Sequence, residues 1–407
     1  MKSLFLLLFV MPVIAFGQSF LEEKMYLEFK DQISSVNSLK KNSTGMTSFE
    51  QSLFVDALWD ALDDGITKNK ISYLNNTSDL LFPLAERLRL GILKLKYETN
   101  ATLDNELKNA LMSELQKPEA EIKIIYLIAA HEALFLNHGL NDIVNAARLH
   151  PNYFDIAEQG ETEEDIEAEV VTDLYFNTPD VTTYMGGEYI KSVKIFMFCR
   201  PNRLYPCLMI MRDINGNEVR KLDGTLWNNP ALASAVTGLP SYQRNGNTPA
   251  GIFTIDSVMP VADQQLSYGK YRRMMLNFVP KSNDEILLKS LLPKSSWNND
   301  WWKQTIAARD IGRNLFRIHG SGRINKDPNT PYFPFNRTHG CIAQRENTYD
   351  GVIYKDQRDL LDSVMKAMEL EPKFENEPKV KGILYIMELQ DKSGPVTMDD
   401  LATFGIR

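Results

Sequence analysis

The thirty residues RIHGSGRINKDPNTPYFPFNRTHGCIAQRE, Arg317 to Glu346, hold two of the chain's five histidines and one of its three cysteines. A thiol acts as a nucleophile only as thiolate, so it needs a base or a cation nearby. His319 ends the strand-like run NLFRIHG, and Cys341 follows RTHG, 22 residues later. The proline-bearing stretch NKDPNTPYFPFN between them suits a chain that leaves one strand and returns beside it. An imidazole there can take the thiol proton and return it to a leaving amine. Gly340 allows close approach of a substrate to the backbone. The Gly340 and Cys341 N–H groups are natural oxyanion donors for acyl transfer. Two other readings stand beside this one. Two histidines and a thiol can hold zinc, although the paired Cys-x-x-Cys spacing of structural sites is missing. The window can also be two ordinary strands that happen to carry these residues. Arg317, Arg323, Arg337 and Arg345 flank the window, either as bidentate partners for substrate carboxylates or as solvated surface.

The elements that must position this window lie in the second part of the chain. VKIFMFC and CLMIMRD are short apolar runs joined by RPNRLYP. Asn215-Gly216 is a hairpin signal before a further strand. AGIFTIDSV, MMLNFVP, NLFRIHG and GILYIMEL complete the strand set, and DQRDLLDSVMKAMEL reads as a helix with Leu361, Val364 and Met368 on one face. Many short strands with few helices predict a mostly β sandwich or barrel. SSWNNDWWKQTIAAR interrupts the strands. Its Trp297, Trp301 and Trp302 form either a wall over a substrate or the packing face of a helix.

Residues 19–150 read as helical. Thr47-Ser48-Phe49-Glu50 is a capping-box pattern, and Pro83 can open a helix with Leu84, Leu88, Ile92 and Leu95 on one face. EIKIIYLIAAHEALFLNHG is apolar nearly all round and stops at Gly139, which predicts one buried central helix. Its HEALF is not a zinc-protease motif, because Phe135 stands where the second histidine would be. Glu158–Glu169 is acidic and poor in bulky residues, as a solvated linker or helix start is. The expected fold class is α+β: an N-terminal all-α domain at 18–157, an acidic linker at 158–170, a mostly β catalytic domain at 171–395 and a tail at 396–407.

The chain has 407 residues, a formal net charge of −8 and 43% hydrophobic residues. That balance supplies real cores and argues against a general nucleic-acid binder. Lys2, the apolar run Leu4–Ile14 and the small residues at Ala15 and Gly17 predict a cleaved export signal at 1–17, too short to span a bilayer. The expected location is across the inner membrane, periplasmic or wall-associated, with no stable membrane span. In an oxidising compartment three cysteines leave one unpaired. Cys199 and Cys207 either bridge across a hairpin or are small buried residues; in both cases Cys341 is left over.

IHGS followed by THGCI resembles the active-site signature of the L,D-transpeptidases of the YkuD family, and NGNTPAGIFTI resembles the strand that precedes it there. The NGNEV hairpin and the final helix and strand also fit, so the resemblance covers roughly residues 185–390. It implies that Cys341 is the nucleophile, acylated by a peptidoglycan stem peptide, with His319 as base and His339 supporting the thiolate. Gly340 supplies an oxyanion N–H, Gly320 and Ser321 orient His319, and Thr338 belongs to the same element. Arg317, Arg323, Arg337, Gln344, Arg345 and Trp301 are the expected substrate contacts. No metal or organic cofactor is implied; stem peptides are the partners, and carbapenem-type inhibitors are expected to acylate the same thiol. An acceptor amine gives a 3-3 crosslink or attaches a protein to the wall; water gives hydrolysis. Ala343 stands where most members carry Arg or Asn. A branch that includes peptidoglycan–lipoprotein amidases also carries Ala there, so a stem-trimming or protein-releasing hydrolase is the alternative. A non-catalytic wall-binding scaffold is the alternative of another class.

Overall fold

The structure, a computed structural model, describes residues 11–34, 45–63, 82–153, 168–179, 192–259, 262–279 and 284–407. The start of the expected export signal and most of the acidic stretch at 158–167 lie outside those residues. The chain divides into two compact units, Met1–Glu158 with Asp310–Gly312, and Gln159–Arg309 with Arg313–Arg407.

The first unit is helical: α1 (Met11–Ser34), α2 (Ser48–Asp63), α3 (Leu84–Tyr97), α4 (Asn105–Leu115), α5 (Ile122–Ala130), α6 (Glu132–Asn137) and α7 (Asn141–Arg148). The capping box forms as its residues predict, with the Thr47 amide donating to Glu50 Oε2 at 2.7 Å. The apolar segment expected as one helix is two, broken at His131. The His131 ring Nδ1 donates to the Leu127 carbonyl, which the His131 amide would otherwise use, at 2.9 Å. That amide turns instead to Ile128 O at 3.2 Å. Burial holds the His131 imidazole at about 4, below its ordinary 6.5, so it stays neutral. Within this unit Arg89, Asp56 and Glu86 are buried charges, and each is paired: Arg89 donates to Asp56 and, at 2.8 Å, to Glu86. No helix among the described residues is long and apolar enough to cross a membrane.

The second unit opens with α8 (Ala168–Asn177) and continues as β1 (Val193–Cys199), β2 (Cys207–Arg212), β3 (Asn228–Ala231), β4 (Gly251–Val258), α9 (Gln265–Tyr268) and β5 (Met274–Phe278). It then runs α10 (Asp284–Ser290), α11 (Gln304–Asp310), β6 (Phe316–His319), β7 (Ile342–Ala343), β8 (Glu346–Tyr349) and β9 (Val352–Lys355). It ends with α12 (Asp356–Ala367), β10 (Gly382–Glu388) and α13 (Met398–Ala402). Among the described residues eight strands form one mixed sheet in the order β3-β2-β1-β10-β4-β5-β6-β7. The two ends of that order meet. Leu232, directly after β3, exchanges backbone hydrogen bonds with Ala343 of β7 at 3.0 and 2.8 Å. The sheet is therefore barrel-like, closed at this pair.

Strand alternation separates two cores. One draws on all eight strands, including Ile195, Met209, Phe253, Leu276, Phe316, Ile318 and Ile342, and adds Leu360, Leu361, Val364 and Met365 of α12. The other lies over Phe196, Phe198, Ile252 and Tyr385 and is covered by Val171, Leu174, Trp301, Trp302 and Leu401. That is why the runs read as continuously apolar rather than alternating. The residues expected as a tail belong to this second core. Val396, Leu401 and Ile406 are buried, and α13 carries a Thr397/Asp400 capping box. Cys199 and Cys207 end the paired strands β1 and β2 and form a disulfide; Cys341 is a free, buried cysteine.

Candidate active site

Parallel pairing of β6 with β7 sets the site. Ile318 lies across from Ile342 and His319 from Ala343. One step back, Arg317 lies across from Cys341. Ile318 and Ile342 point into the all-strand core. Alternation then puts Arg317, His319 and Cys341 together on the opposite face. Antiparallel β5 supplies the other neighbour: Met274 pairs with Ile318 and Met275 with Arg317, so Arg273 stands one step on, beside His319.

Cys341 is 9% exposed. Its Sγ lies 3.8 Å from the Leu315 carbonyl, to which the thiol donates, and 3.9 Å from Arg317 Nη1. His319, 4% exposed, has Nδ1 2.5 Å from the Gly320 carbonyl. A carbonyl only accepts, so Nδ1 carries the proton and Nε2 is left as the acceptor nitrogen. Burial holds the imidazole at about 3; the Gly320 bond opposes the shift, and the Arg317 and Arg273 cations add to it. The ring meets Tyr268 of α9 edge to face at 5.0 Å.

The turn before Cys341 is built by short-range bonds and one buried arginine. Thr338 Oγ1 donates to the Cys341 carbonyl at 2.6 Å and accepts the Gly340 amide at 3.2 Å. Thr248, from the NGNTPAGIF element, donates to the Gly340 carbonyl at 2.9 Å. Gly340 has φ +107, and a Cβ there would stand 2.3 Å from Arg313 Nη2 and 2.9 Å from the Gly246 carbonyl. Only glycine meets both demands. Arg313 donates to the carbonyls of Ser241, Asn247 and Gly246, binding the 241–247 loop under the turn. Of the two expected oxyanion donors, the Gly340 amide is therefore engaged by Thr338; among the described residues the Cys341 amide donates to no protein acceptor.

The remaining expected residues divide. Ser321 is buried and accepts the Arg323 amide at 3.1 Å, fixing the strand after His319. Gly320 packs against the buried Glu346 carboxyl, 2.2 Å from where a Cβ would be. His339 is half-buried in the Cys341 turn. Arg323 is exposed, and Arg337 reaches the Ala235 carbonyl at 3.4 Å and lies over the Tyr332 ring. Arg345 pairs with Asp356 at 2.5 Å and covers the Tyr354 ring, so its charge is already matched. Gln344, 1% exposed, and Trp301, 2% exposed, offer no surface to a substrate: strand reversal turns the first inward, and the tryptophan packs in the helix-covered core. Ala343 packs with Leu232 and Phe335, an apolar patch beside His319. Arg273, Tyr268, Thr248 and Arg313 were not singled out from sequence. Only Thr248 had a signal there, inside the recognised NGNTPAGIF run.

Among the described residues no group of three or more His, Cys, Asp or Glu side chains is arranged to hold a metal ion. The arrangement has a shielded thiol, a neutral imidazole on the same face, a cation at the sulfur and an uncommitted amide on the thiol's own residue. These are the parts of nucleophilic acyl transfer. Residues 213–365 match the family described as the L,D-transpeptidase catalytic domain, YkuD. No curated protein and no solved structure matches the chain.

Proposed function

We propose that the L,D-transpeptidase-type domain of this chain is an exported, cell-wall enzyme that acylates Cys341 with a peptidoglycan stem peptide and passes the acyl group to an amine. The observation that carries this reading is the pairing of β6 with β7, which supports His319 and Cys341 acting on one face, two residues apart in the register. The thiolate attacks the stem carbonyl, and the Cys341 amide stabilises the oxyanion. His319 Nε2 moves the proton to the leaving amine. An acceptor amine on a second stem yields a 3-3 crosslink, and an amine on a protein attaches that protein to the wall.

A second reading has its own observation. The position across from His319 is Ala343, packed against Leu232 and Phe335, where a polar side chain would otherwise face the acyl group. That supports water as acceptor, giving a carboxypeptidase or an amidase that releases wall-attached protein. Mature protein incubated with disaccharide-tetrapeptides, beside Cys341→Ala, separates the readings by mass spectrometry. A 3-3 dimer supports ligation, and loss of the terminal D-Ala alone supports hydrolysis. No turnover together with no carbapenem adduct on Cys341 would sink both and leave a wall-binding scaffold.

A further inference from the structure

We propose that Arg317 is the ion-pair partner of the Cys341 thiolate, a catalytic residue of the nucleophile itself and not a contact for substrate; this rests on the acyl-transfer reading above.

The geometry differs for the two protonation states of the sulfur. As a thiol, Cys341 donates to the Leu315 carbonyl at 3.8 Å. As an anion it has nothing to donate, and that carbonyl becomes a repulsive neighbour. The group then able to serve it is the Arg317 guanidinium, with Nη1 3.9 Å from Sγ. The β6–β7 register holds Arg317 across from Cys341, and parallel partners share a face, so the approach is fixed by backbone pairing. Arg317 is 5% exposed, and its guanidinium lies 5.3 Å from the Tyr268 ring centroid. The same ring carries Arg273 at 4.1 Å and meets His319 edge to face. One aromatic side chain thus steadies both arginines and the histidine.

The surrounding charges fit this assignment. Arg273 is matched by Asp263 at 2.7 Å, from the segment before α9. Arg313, under the turn, is spent on the carbonyls of Ser241, Gly246 and Asn247. Glu346, from β8, takes the Lys270 amide at 2.7 Å, and burial pushes its carboxyl toward the neutral form. His339 belongs to the Cys341 turn itself. His319 is held neutral by burial, so it is a poor imidazolium partner for a resting thiolate. Among the described residues His319 makes no hydrogen bond to Sγ, whose hydrogen-bond neighbours are the Leu315 carbonyl and Arg317 Nη1.

The step balances without another reactant. The thiol proton leaves to solvent, and the thiolate remains paired with Arg317. The sulfur–carbon bond forms at the stem carbonyl, and the carbon–nitrogen bond then breaks. The departing amine takes one proton back from solvent by way of His319 Nε2. Thiol plus amide becomes thioester plus amine.

The test is the pH dependence of alkylation by iodoacetamide, which reacts with thiolate and reads Cys341 alone because the other two cysteines form a disulfide. Acyl transfer from disaccharide-tetrapeptides is measured in parallel. Arg317→Gln is expected to move the alkylation midpoint up by about one unit or more and to slow alkylation at pH 7 about tenfold. Arg317→Lys keeps a charge at the sulfur and restores most of the rate. His319→Gln leaves the midpoint in place and abolishes acyl transfer. A midpoint that moves in His319→Gln and stays in Arg317→Gln overturns the proposal. Because Arg317 is buried, the wild type provides a readout that needs no variant: the iodoacetate-to-iodoacetamide rate ratio should exceed that of free cysteine. A ratio equal to or below it overturns the proposal as well. An Arg317-dependent midpoint with no peptide product and no carbapenem adduct supports the ion pair and sinks the transpeptidase reading.

Discussion

Gly340→Ala tests how the turn before Cys341 is held. The new methyl would stand 2.3 Å from Arg313 Nη2 and 2.9 Å from the Gly246 carbonyl. The first contact is not the loose end of a flexible chain. Arg313 is buried, donates to Asn247 O at 2.9 Å and Gly246 O at 2.8 Å, and lies 4.7 Å from the Phe316 ring centroid. Giving way means surrendering at least one buried charge-assisted bond, worth ~1.5–3 kcal/mol. The φ of +107 adds backbone strain of ~1–2 kcal/mol for any residue with a Cβ. The sum is ~2.5–5 kcal/mol, a fall in melting temperature of roughly 10 °C for a unit of this size. Gly351→Ala is the matched control, since Gly351 has φ +80 with nothing within 4 Å of its Cβ position. It should lose only the strain, ~1–2 kcal/mol. Thermal and urea melts give the stability difference, and carbapenem adduct formation at Cys341 gives the site geometry, expected to slow about 100-fold if the sulfur moves by ~1 Å. Equal melts for the two variants, with undiminished adduct formation in Gly340→Ala, would refute the argument that Arg313 pins this turn.

His319 makes the second unit sensitive to acid. Its imidazole titrates near 3 in the fold and near 6.5 when unfolded. Between those values the unfolded chain binds the extra proton, so stability falls as pH drops through that window and is insensitive to this group above it. His319→Gln should flatten the urea-midpoint profile there by up to ~1.4 kcal/mol per pH unit; an unchanged slope would place the imidazole in water instead. Removing the disulfide by Cys199→Ala with Cys207→Ala opens a loop of sequence separation 8, and the chain-entropy account gives a loss of ~2.5 kcal/mol. Cys199 and Cys207 point into the all-strand core, on the sheet face opposite Cys341, so carbapenem adduct formation by the folded double variant should be unaltered. A lost adduct at a temperature where the variant is folded would contradict this.

Much of the site was legible in the residues alone because it is short-range chemistry. HGS and THGC placed His319, Gly340 and Cys341 in one neighbourhood, the family resemblance added NGNTP with Thr248 unassigned, and the odd cysteine count left Cys341 unpaired. The capping box at Thr47–Glu50, the helix at α12 and the change from helices to strands are local patterns as well, since propensity and period act over a few residues. What the sequence could not carry is which residues become neighbours across strands. Arg273 stands beside His319, and Arg317 beside Cys341, only because β5, β6 and β7 pair in one register. The same register turned Gln344 inward and left Ala343 facing the histidine. The break at His131, the burial of Trp301 and the inclusion of residues 396–407 in the core likewise depended on partners distant in sequence. A strand's period of two says that alternate residues share a face. The tertiary pairing of strands decides which face holds the chemistry and which cation stands against the sulfur.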